Sequence, residues 1–388
     1  MKRTYEEINQ KIERGDAVVL TAEEVIGVVE RDGMEKATKE VDVVTTGTFG
    51  AMCSSGAFLN FGHSEPPIKM TKVWLNDVPA YTGLAAVDAY IGAAELREGD
   101  EMSYGGAHVI EDLIARRPVR LRATAYGTDC YPRKEIDTYI SLATVNQAYM
   151  YNPRNVYQNY GVATNSSERV LFTYMGKLLP KYGNATYSSA GQLSPLLNDP
   201  QLRTVGIGTR IFLGGAQGYV AWEGTQYRTT TAERNGVPTG AARNLAVVGD
   251  LKEMSTEFVR ALILNKYGTT LGVGIGVPIP ILDEGMMKCV SIRDEEIFAP
   301  VLDYSVQSRG RVPIHEVSYS ELRSGSIEIG NRRVRTSSLS SYALARRIAE
   351  TLKRSLEKGE FLLTQPVARL PAEREQKALD LHSREEVT

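Results

Sequence analysis

The pattern of apolar and polar positions along the chain predicts a mixture of helices and strands. The charged segment Tyr5–Arg14 is followed by a glycine, which predicts a helix that stops there. Thr21, with Glu24 three residues later, is the signature of a capping box and predicts the start of a second helix. Residues 41–46 are apolar and β-branched, which predicts a buried strand.

The rest of the chain continues this alternation between strands, helices and loops. Further strands are predicted at Lys72–Leu75 and at residues 119–126, 204–208, 209–214, 218–222, 244–248 and 270–277, with a hairpin at 327–336. Further helices are predicted at residues 84–94, 107–117, 256–266 and 341–358. A glycine-rich loop is predicted at residues 47–62, and the tyrosine-rich residues 149–187 predict ordered loops with short elements.

No internal repeat and no linker divides this series of elements. We therefore predict an α/β fold in which one or more mixed sheets are surrounded by helices and glycine-rich loops, as a single large unit of residues 1–370. Residues 371–388 are charged and weakly apolar, which predicts a mobile tail.

Composition excludes several classes of function. The 388 residues carry 45 Lys and Arg against 47 Asp and Glu, and a net charge of -2 gives no reason to expect nucleic acid or a membrane surface as a partner. No apolar stretch approaches the roughly 20 residues of a membrane span, and the N-terminal decapeptide is acidic where a signal peptide is apolar. We expect a cytoplasmic protein. Its three cysteines and four histidines are scattered, so we expect neither a disulfide framework nor a metal site.

Cys53 and Cys130 are the candidates for chemistry, since each follows a predicted strand. Cys53 lies among Gly, Thr and Ser, whose backbone amides can stabilise a thiolate, although a cysteine packed as a small apolar residue fits that context equally well. Cys130 is followed by Arg133 and Lys134, which supply positive potential, and preceded by Asp129, a proton acceptor; this context favours a functional cysteine over a solvated loop residue.

The other candidates carry weaker signals. His63 closes the first glycine-rich loop and is a candidate proton shuttle, and His108 begins a predicted helix where it would contact a ligand or face solvent. Cys289 has apolar neighbours and no glycine, which favours a structural role. The glycine runs near residues 205–218 and 272–276 match neither the dinucleotide fingerprint nor the phosphate-binding loop, so no bound cofactor is expected.

Several long phrases make the chain resemble a known family. These phrases are TTGTFGAMCSSGAFLNFGH, GGAHVIEDL, GTDCYPRKE, YGNATYSSAGQLSPLLNDP and VGIGTRIFLGGAQGYVAWEGTQ. Together they resemble the homocysteine-biosynthesis family, whose characterised activity is L-aspartate-semialdehyde sulfurtransferase, over nearly the whole of residues 1–366. The resemblance implies that Cys130 carries a persulfide and that Cys53 is its partner.

The resemblance also implies what the substrate and the electron supply require. The carboxylate of the semialdehyde needs a cation, for which Arg133 and Arg210 are candidates. Making a thiol from an aldehyde and sulfide takes two electrons, which two cysteines supply once by ending as a disulfide. Many family members continue into paired CBS domains or a ferredoxin-type module, whereas this sequence ends in a short charged tail. We therefore expect a separate ferredoxin-type iron–sulfur protein as the electron donor.

Two alternatives stay open at this point. One is a persulfide or redox carrier that passes sulfur to a separate enzyme, and it would form the persulfide without making homocysteine. The other is a nucleotide-binding module without thiol chemistry, whose function would survive replacement of Cys130. The sequence does not decide the oligomeric state, and a homo-oligomer is one option.

Overall fold

The computed structural model describes residues 3–99, 102–308 and 310–373. Within them the chain forms seven α-helices: α1 Tyr5–Arg14, α2 Ala22–Asp32, α3 Met34–Glu40, α4 Gly106–Ile114, α5 Glu284–Val290, α6 Tyr319–Arg323 and α7 Tyr342–Glu357. None of the helices in these ranges has both the length and the apolar character needed to cross a bilayer. The predicted mobile tail lies, apart from its first three residues, outside the described residues.

The same ranges contain twenty-eight strands, many of them short. The strands of the first half are β1 Val19–Thr21, β2 Val43–Thr45, β3 Thr48–Ala51, β4 Gly56–Asn60, β5 Lys72–Leu75, β6 Val78–Ala80, β7 Asp88–Gly92, β8 Val119–Thr124, β9 Glu135–Ile140, β10 Gln147–Asn155, β11 Val162–Thr164, β12 Leu171–Thr173, β13 Gly176–Leu178 and β14 Ala185–Tyr187. Those of the second half are β15 Gly206–Ile207, β16 Arg210–Leu213, β17 Ala216–Glu223, β18 Glu233–Arg234, β19 Val237–Pro238, β20 Leu245–Asp250, β21 Val259–Leu264, β22 Gly268–Gly276, β23 Pro278–Pro280, β24 Phe298–Asp303, β25 His315–Ser318, β26 Ser326–Ile329, β27 Arg332–Ser338 and β28 Ala368–Arg369.

The first two helices begin and end where local chemistry places them. The Thr4 side chain accepts from the Glu7 backbone and begins α1, which ends at Gly15 in the left-handed conformation, φ 74°. Thr21 and Glu24 form the predicted capping box at the start of α2. Both predicted helices are therefore confirmed.

A nine-stranded sheet forms the centre of the molecule. Its strands follow the order β21-β22-β16-β17-β20-β10-β4-β7, and β3 pairs with β22 beside that path. Residues on one face, such as Ala57, Leu59 and Met150, are buried in the largest hydrophobic core. Phe58 lies between Ala57 and Leu59 in the sequence, and Tyr149 directly precedes Met150. Both side chains point to the other face and are exposed. This sheet is therefore covered on one side along β4 and β10, as antiparallel sheets often are.

Smaller sheets complete the fold around this centre. The four-stranded sheet β6-β5-β8-β9 contributes Val73 and Leu121 to the same core, and α4 contributes Ile110 and Leu113. The six-stranded sheet β25-β24-β11-β14-β27-β26 combines parallel and antiparallel pairs around a second core. Mixed sheets with surrounding helices confirm the predicted α/β class.

Three predicted elements are wrong. Residues 84–94 form no helix: they contain strand β7, because the buried positions Val87, Ala89 and Ile91 alternate with more exposed ones. Residues 256–266 contain strand β21 instead of a helix, since all six of its residues pair with β22. The glycine-rich loop at 47–62 contains strands β3 and β4, whose glycines sit where other parts of the chain approach closely.

Candidate functional site

Cys53 lies half-buried in the turn between β3 and β4. On one side, the Thr270 hydroxyl of β22 donates to the Cys53 Sγ at 3.3 Å. On the other, Ser54 Oγ donates to Asn152 Oδ1 of β10 at 2.8 Å and fixes the turn to that strand. The turn is thus held from two neighbouring elements, and the Thr270 hydroxyl fixes the position of the Cys53 sulfur.

A group of tyrosines extends from Cys53. Tyr267 lies within electrostatic reach of the thiol: burial, and then the charge of the Cys53 thiolate, raise the pKa of the Tyr267 phenol. The ring of Tyr174 lies 6.3 Å from that of Tyr267, and its hydroxyl is 3.0 Å from the hydroxyl of Tyr304 and 3.4 Å from that of Tyr160. These hydroxyls offer donors and acceptors to a small polar substrate on this side of the molecule.

Cys130 lies at the exposed tip of the hairpin between β8 and β9. The Thr128 hydroxyl is 3.5 Å from its sulfur. The Arg133 guanidinium donates to two backbone carbonyls of the loop after β4, at 3.0 Å and 2.5 Å, and so anchors the tip. The His63 ring from that loop stacks 6.0 Å from the Tyr131 ring. The structure thus brings Cys130, His63 and Arg133 to one place.

The shape of this hairpin tip depends on Gly127 and on a backbone hydrogen bond at its base. Gly127 has φ 77°, a conformation that other residues rarely adopt. A backbone bond from Ala125 to Lys134, 2.7 Å long, closes the hairpin. Asp129 is exposed beside Cys130. The thiol is therefore presented to solvent by a defined turn.

Cys53 and Cys130 lie at opposite ends of the same part of the sheet. Cys53 precedes β4, whereas the Cys130 hairpin packs on the loop that follows β4. Five residues at the usual rise make β4 about 17 Å long. A disulfide needs Cα atoms within about 7 Å of each other. Within one chain, the structure does not bring the two thiols together.

An open groove adjoins the Cys130 hairpin. Its volume is about 810 Å³, and it is lined by Lys69, Lys72 and Trp74 among others, and by the Glu98 carboxylate, which accepts from the Trp74 indole N–H at 2.9 Å. The backbone N–H of Thr71, within the groove, donates at 2.8 Å to the carbonyl of Thr124, the last residue of β8 before the hairpin tip. Neither lysine forms an ion pair with a carboxylate of the described residues. The two ammonium groups can therefore bind an anionic group in this groove.

The other candidate residues predicted from the sequence, His108, Arg210 and Cys289, do not belong to the Cys130 hairpin. His108, in the first turn of α4, accepts from the Gly105 N–H through Nδ1 at 3.2 Å, at the end of the sheet where Cys53 lies. The Arg210 guanidinium donates to the Leu362 carbonyl at 3.2 Å and reaches neither cysteine. Cys289 lies in α5, and burial raises the pKa of its thiol, with Asp199 adding to the effect. A raised pKa suits the structural role expected of Cys289.

Sequence reasoning missed the contacts at both thiols that come from distant parts of the chain. Thr270 and Cys53 are 217 residues apart, and Thr270 was singled out only as the start of a predicted strand. Tyr267 directly follows the helix predicted at residues 256–266 and was not singled out. The abundance of tyrosine was visible, but nothing local shows which tyrosines approach Cys53.

Known proteins resemble this chain along most of its length. Residues 17–363 match the family described as homocysteine biosynthesis enzyme, sulfur-incorporation. A Methanosarcina acetivorans protein named L-aspartate semialdehyde sulfurtransferase is 54% identical over 379 residues, 98% of this chain and 74% of that protein. A protein of the same name from Methanocaldococcus jannaschii is 54% identical over 380 residues, covering 94% and 72%. No solved structure matches the chain.

The fold is that of an α/β protein with two free thiols, Cys53 and Cys130, in turns between strands. Within that class, the match over residues 17–363 and the identity to two curated relatives show the family. The chain belongs to the homocysteine biosynthesis enzymes that incorporate sulfur.

Proposed function

We propose that this protein converts L-aspartate semialdehyde and sulfide-derived sulfur into L-homocysteine through a persulfide on Cys130. The observation that carries the proposal is the exposed Cys130 thiol on an anchored hairpin, beside His63 and next to a groove lined by lysines. The name carried by two relatives at 54% identity supports the same substrate.

Loading begins from a disulfide between Cys53 and Cys130. Hydrosulfide attacks the Cys130 sulfur, so that the cysteine disulfide breaks, a new S–S bond forms on Cys130, and Cys53 leaves as a thiolate. No external oxidant is needed for this step. The product is a Cys130 persulfide with a free Cys53.

Transfer to the substrate returns the protein to its starting state. The outer persulfide sulfur adds to the aldehyde carbon, and the resulting alkoxide takes a proton, for which His63 is the proposed donor. Cys53 then attacks the Cys130 sulfur, the bond to the adduct breaks, and the cysteine disulfide forms again. The released thiohemiacetal loses water to give a thioaldehyde. Two electrons and two protons reduce this to the thiol.

The electron balance changes the order of steps expected from the sequence. A dithiol that ends as a disulfide only returns the persulfide sulfur to the level of sulfide, so it cannot also reduce the carbon. The external pair of electrons is therefore needed at the carbon in every turnover. We propose that a ferredoxin-type iron–sulfur protein supplies them in the cytoplasm, since no cofactor-binding motif is found in this sequence.

The test is an assay with purified protein, sulfide, L-aspartate semialdehyde and a low-potential chemical reductant. We expect homocysteine from the wild type and from Cys289→Ser, the matched control, and none above background from Cys130→Ser. Mass spectrometry of sulfide-treated protein is expected to find one added sulfur atom on Cys130. An adduct confined to Cys289, or full activity of Cys130→Ser, would overturn the proposal.

The second candidate function is a persulfide carrier, and the exposure of Cys130 favours it. An exposed thiol at a hairpin tip is accessible to another protein as well as to a small molecule. A carrier would form the Cys130 persulfide and pass the sulfur on. It would yield no homocysteine in the assay with purified protein, which separates the two functions.

A further inference from the structure

A row of aromatic side chains crosses the part of the nine-stranded sheet, along β4, β10 and β17, where one face is exposed. Directly paired residues of an antiparallel ladder point to the same face. The pairs Tyr81–Tyr90, Tyr90–Phe58 and Phe58–Tyr149 therefore share one face. Tyr219 pairs with Val248, which itself pairs with Tyr151, so the same face extends to β17. Trp222 of β17 pairs with Ala246, two residues before Val248 on β20, and therefore lies on this face as well.

This aromatic face is exposed to a degree that is unusual for large side chains. The exposed fractions are Tyr81 62%, Phe58 37%, Tyr149 43%, Tyr219 40% and Trp222 59%. At roughly 200 Å² per aromatic side chain, these five leave about 500 Å² of ring surface in contact with solvent. A stable interface buries about 800 Å² on each partner, so this face alone supplies more than half of one. Aromatic residues are also the type enriched at interface centres.

The two thiols lie beyond the two ends of the strands that carry this face. Cys53 precedes β4, and the hairpin that bears Cys130 packs on the loop after it, about one strand length away. The proposed chemistry requires Cys53 to attack the Cys130 sulfur, which a separation of that size prevents within one chain. The proposed site is therefore incomplete in a single copy.

We propose that two copies of this chain pack through their aromatic faces and that each active site combines Cys53 of one copy with Cys130 of the other. This inference rests on the proposed function, because only that chemistry requires contact between the two sulfurs. It commits the aromatic face to a second copy of the chain. The interface is isologous, with the row of Tyr81, Phe58, Tyr149 and Tyr219 packing on its own equivalent.

The direction of the dimer's two-fold axis decides which strand ends of the two copies lie together. When two sheets pack face to face with aligned strands, their two-fold axis lies in the interface, along the strands or across them. An axis along the strands brings like ends together, so Cys53 faces Cys53. An axis across the strands opposes the strand directions and brings the Cys53 end of one copy to the Cys130 end of the other. Only the second arrangement supplies both thiols, and it does so twice per dimer.

Complementation between inactive variants tests the shared site. Cys53→Ser and Cys130→Ser, carrying different tags, are expressed together, and the doubly tagged mixed dimer is purified in two steps. One of its two sites has both cysteines, so we expect about half the wild-type rate, while either variant alone stays at background. A mixed dimer that remains at background, next to an active doubly tagged wild type, would overturn the proposal.

Covalent trapping gives an independent readout that does not need activity. In the Cys289→Ser background, mild oxidation is expected to give a disulfide-linked dimer on a non-reducing gel, lost when either Cys53 or Cys130 is also replaced. Peptide mapping should find Cys53 joined to Cys130 between isotopically distinct chains. A disulfide found only within one chain contradicts the inference even when the persulfide chemistry is correct.

The interface itself is tested by charge substitution on the aromatic face. Trp222→Glu and Tyr149→Glu change exposed residues and are expected to convert the dimer to a folded monomer by light scattering, with activity reduced at least tenfold. Val312→Glu, at an exposed apolar residue away from this sheet, is the matched control and should remain an active dimer. A wild-type protein that is monomeric at concentrations where it makes homocysteine would refute the inference and leave the proposed function intact.

Discussion

At the scale of single residues, the three thiols differ in their surroundings. Cys130 is exposed and has a hydroxyl at 3.5 Å, whereas Cys289 is partly buried in α5. Burial raises the pKa of the Cys289 thiol above its ordinary value of 9.0, because the charged form loses its hydration. The thiolate of Cys289 therefore appears at a higher pH than that of an ordinary cysteine.

This difference predicts the order of alkylation. At pH 7.5 we expect iodoacetamide to modify Cys130 at least about tenfold faster than Cys289, since only the thiolate reacts. The rate at Cys289 should still be rising with pH at pH 9, because its pKa is raised. Peptide mass spectrometry over time and pH measures both rates. Modification of Cys289 before Cys130 would contradict the assigned environments.

The groove beside Cys130 gives a second prediction at this scale. Lys69 and Lys72 line it, and no carboxylate of the described chain pairs with them, so both can hold a substrate carboxylate. Lys72→Ala is expected to raise KM for the semialdehyde roughly three- to tenfold with kcat changed less than about twofold, as for lost ground-state binding. Lys177→Ala, an exposed lysine of β13, is the control. A fall in kcat at unchanged KM would assign Lys72 a different role.

At the scale of elements, α7 docks on the centre of the molecule through a close approach at Gly47. A Cβ atom there would lie 2.2 Å from the Ala345 carbonyl oxygen and 3.1 Å from the Ala349 nitrogen. Both are helix backbone atoms, which cannot move aside as a side chain does. The helix carries the buried Ile348 and Leu352, so any shift of α7 disturbs its core contacts.

Gly47→Ala is therefore expected to lower the free energy of unfolding by about 1–3 kcal/mol, the range for overpacking a core. Gly27→Ala is the matched control, for which we expect the free energy of unfolding to rise instead of fall. Gly27 lies inside α2 with no atom within 4 Å of an added Cβ, and alanine there should stabilise the protein by about 0.5–1 kcal/mol. Urea unfolding of both variants provides the measurement. Equal effects of the two substitutions would refute the close-approach argument.

Elements were predictable from the sequence where local chemistry decides them. Thr21 and Glu24 are three residues apart, so their capping box is visible in the sequence. Residues 84–94 contain good helix formers, but strand β7 forms there because pairing with β4 overrides intrinsic preference. The thiol environments were less predictable, since the contact between Thr270 and Cys53 spans 217 residues. The loops around Cys53 and Cys130, together with the family resemblance, nevertheless predicted that these two cysteines are the candidates for chemistry.

At the scale of the whole molecule, α7 connects hydrophobic cores that would otherwise be separate. Ala345 belongs to the largest core, Ile348 and Leu352 belong to a third core with α1, and Tyr342 packs against both the largest core and that of the six-stranded sheet. A disturbance in α7 therefore reaches all three. Coupling of this kind favours unfolding as one unit.

We expect a single calorimetric transition whose measured enthalpy equals the van't Hoff enthalpy, with dissociation included in the analysis if the proposed dimer forms. Ile348→Ala removes a fully buried side chain, and a cost of about 2–5 kcal/mol should shift that whole transition to lower temperature. Val301→Ala, in the core of the six-stranded sheet, should shift the same transition. If Val301→Ala instead produced a second, earlier transition, residues 1–370 would contain two units that fold separately, and α7 would join them only in the native state.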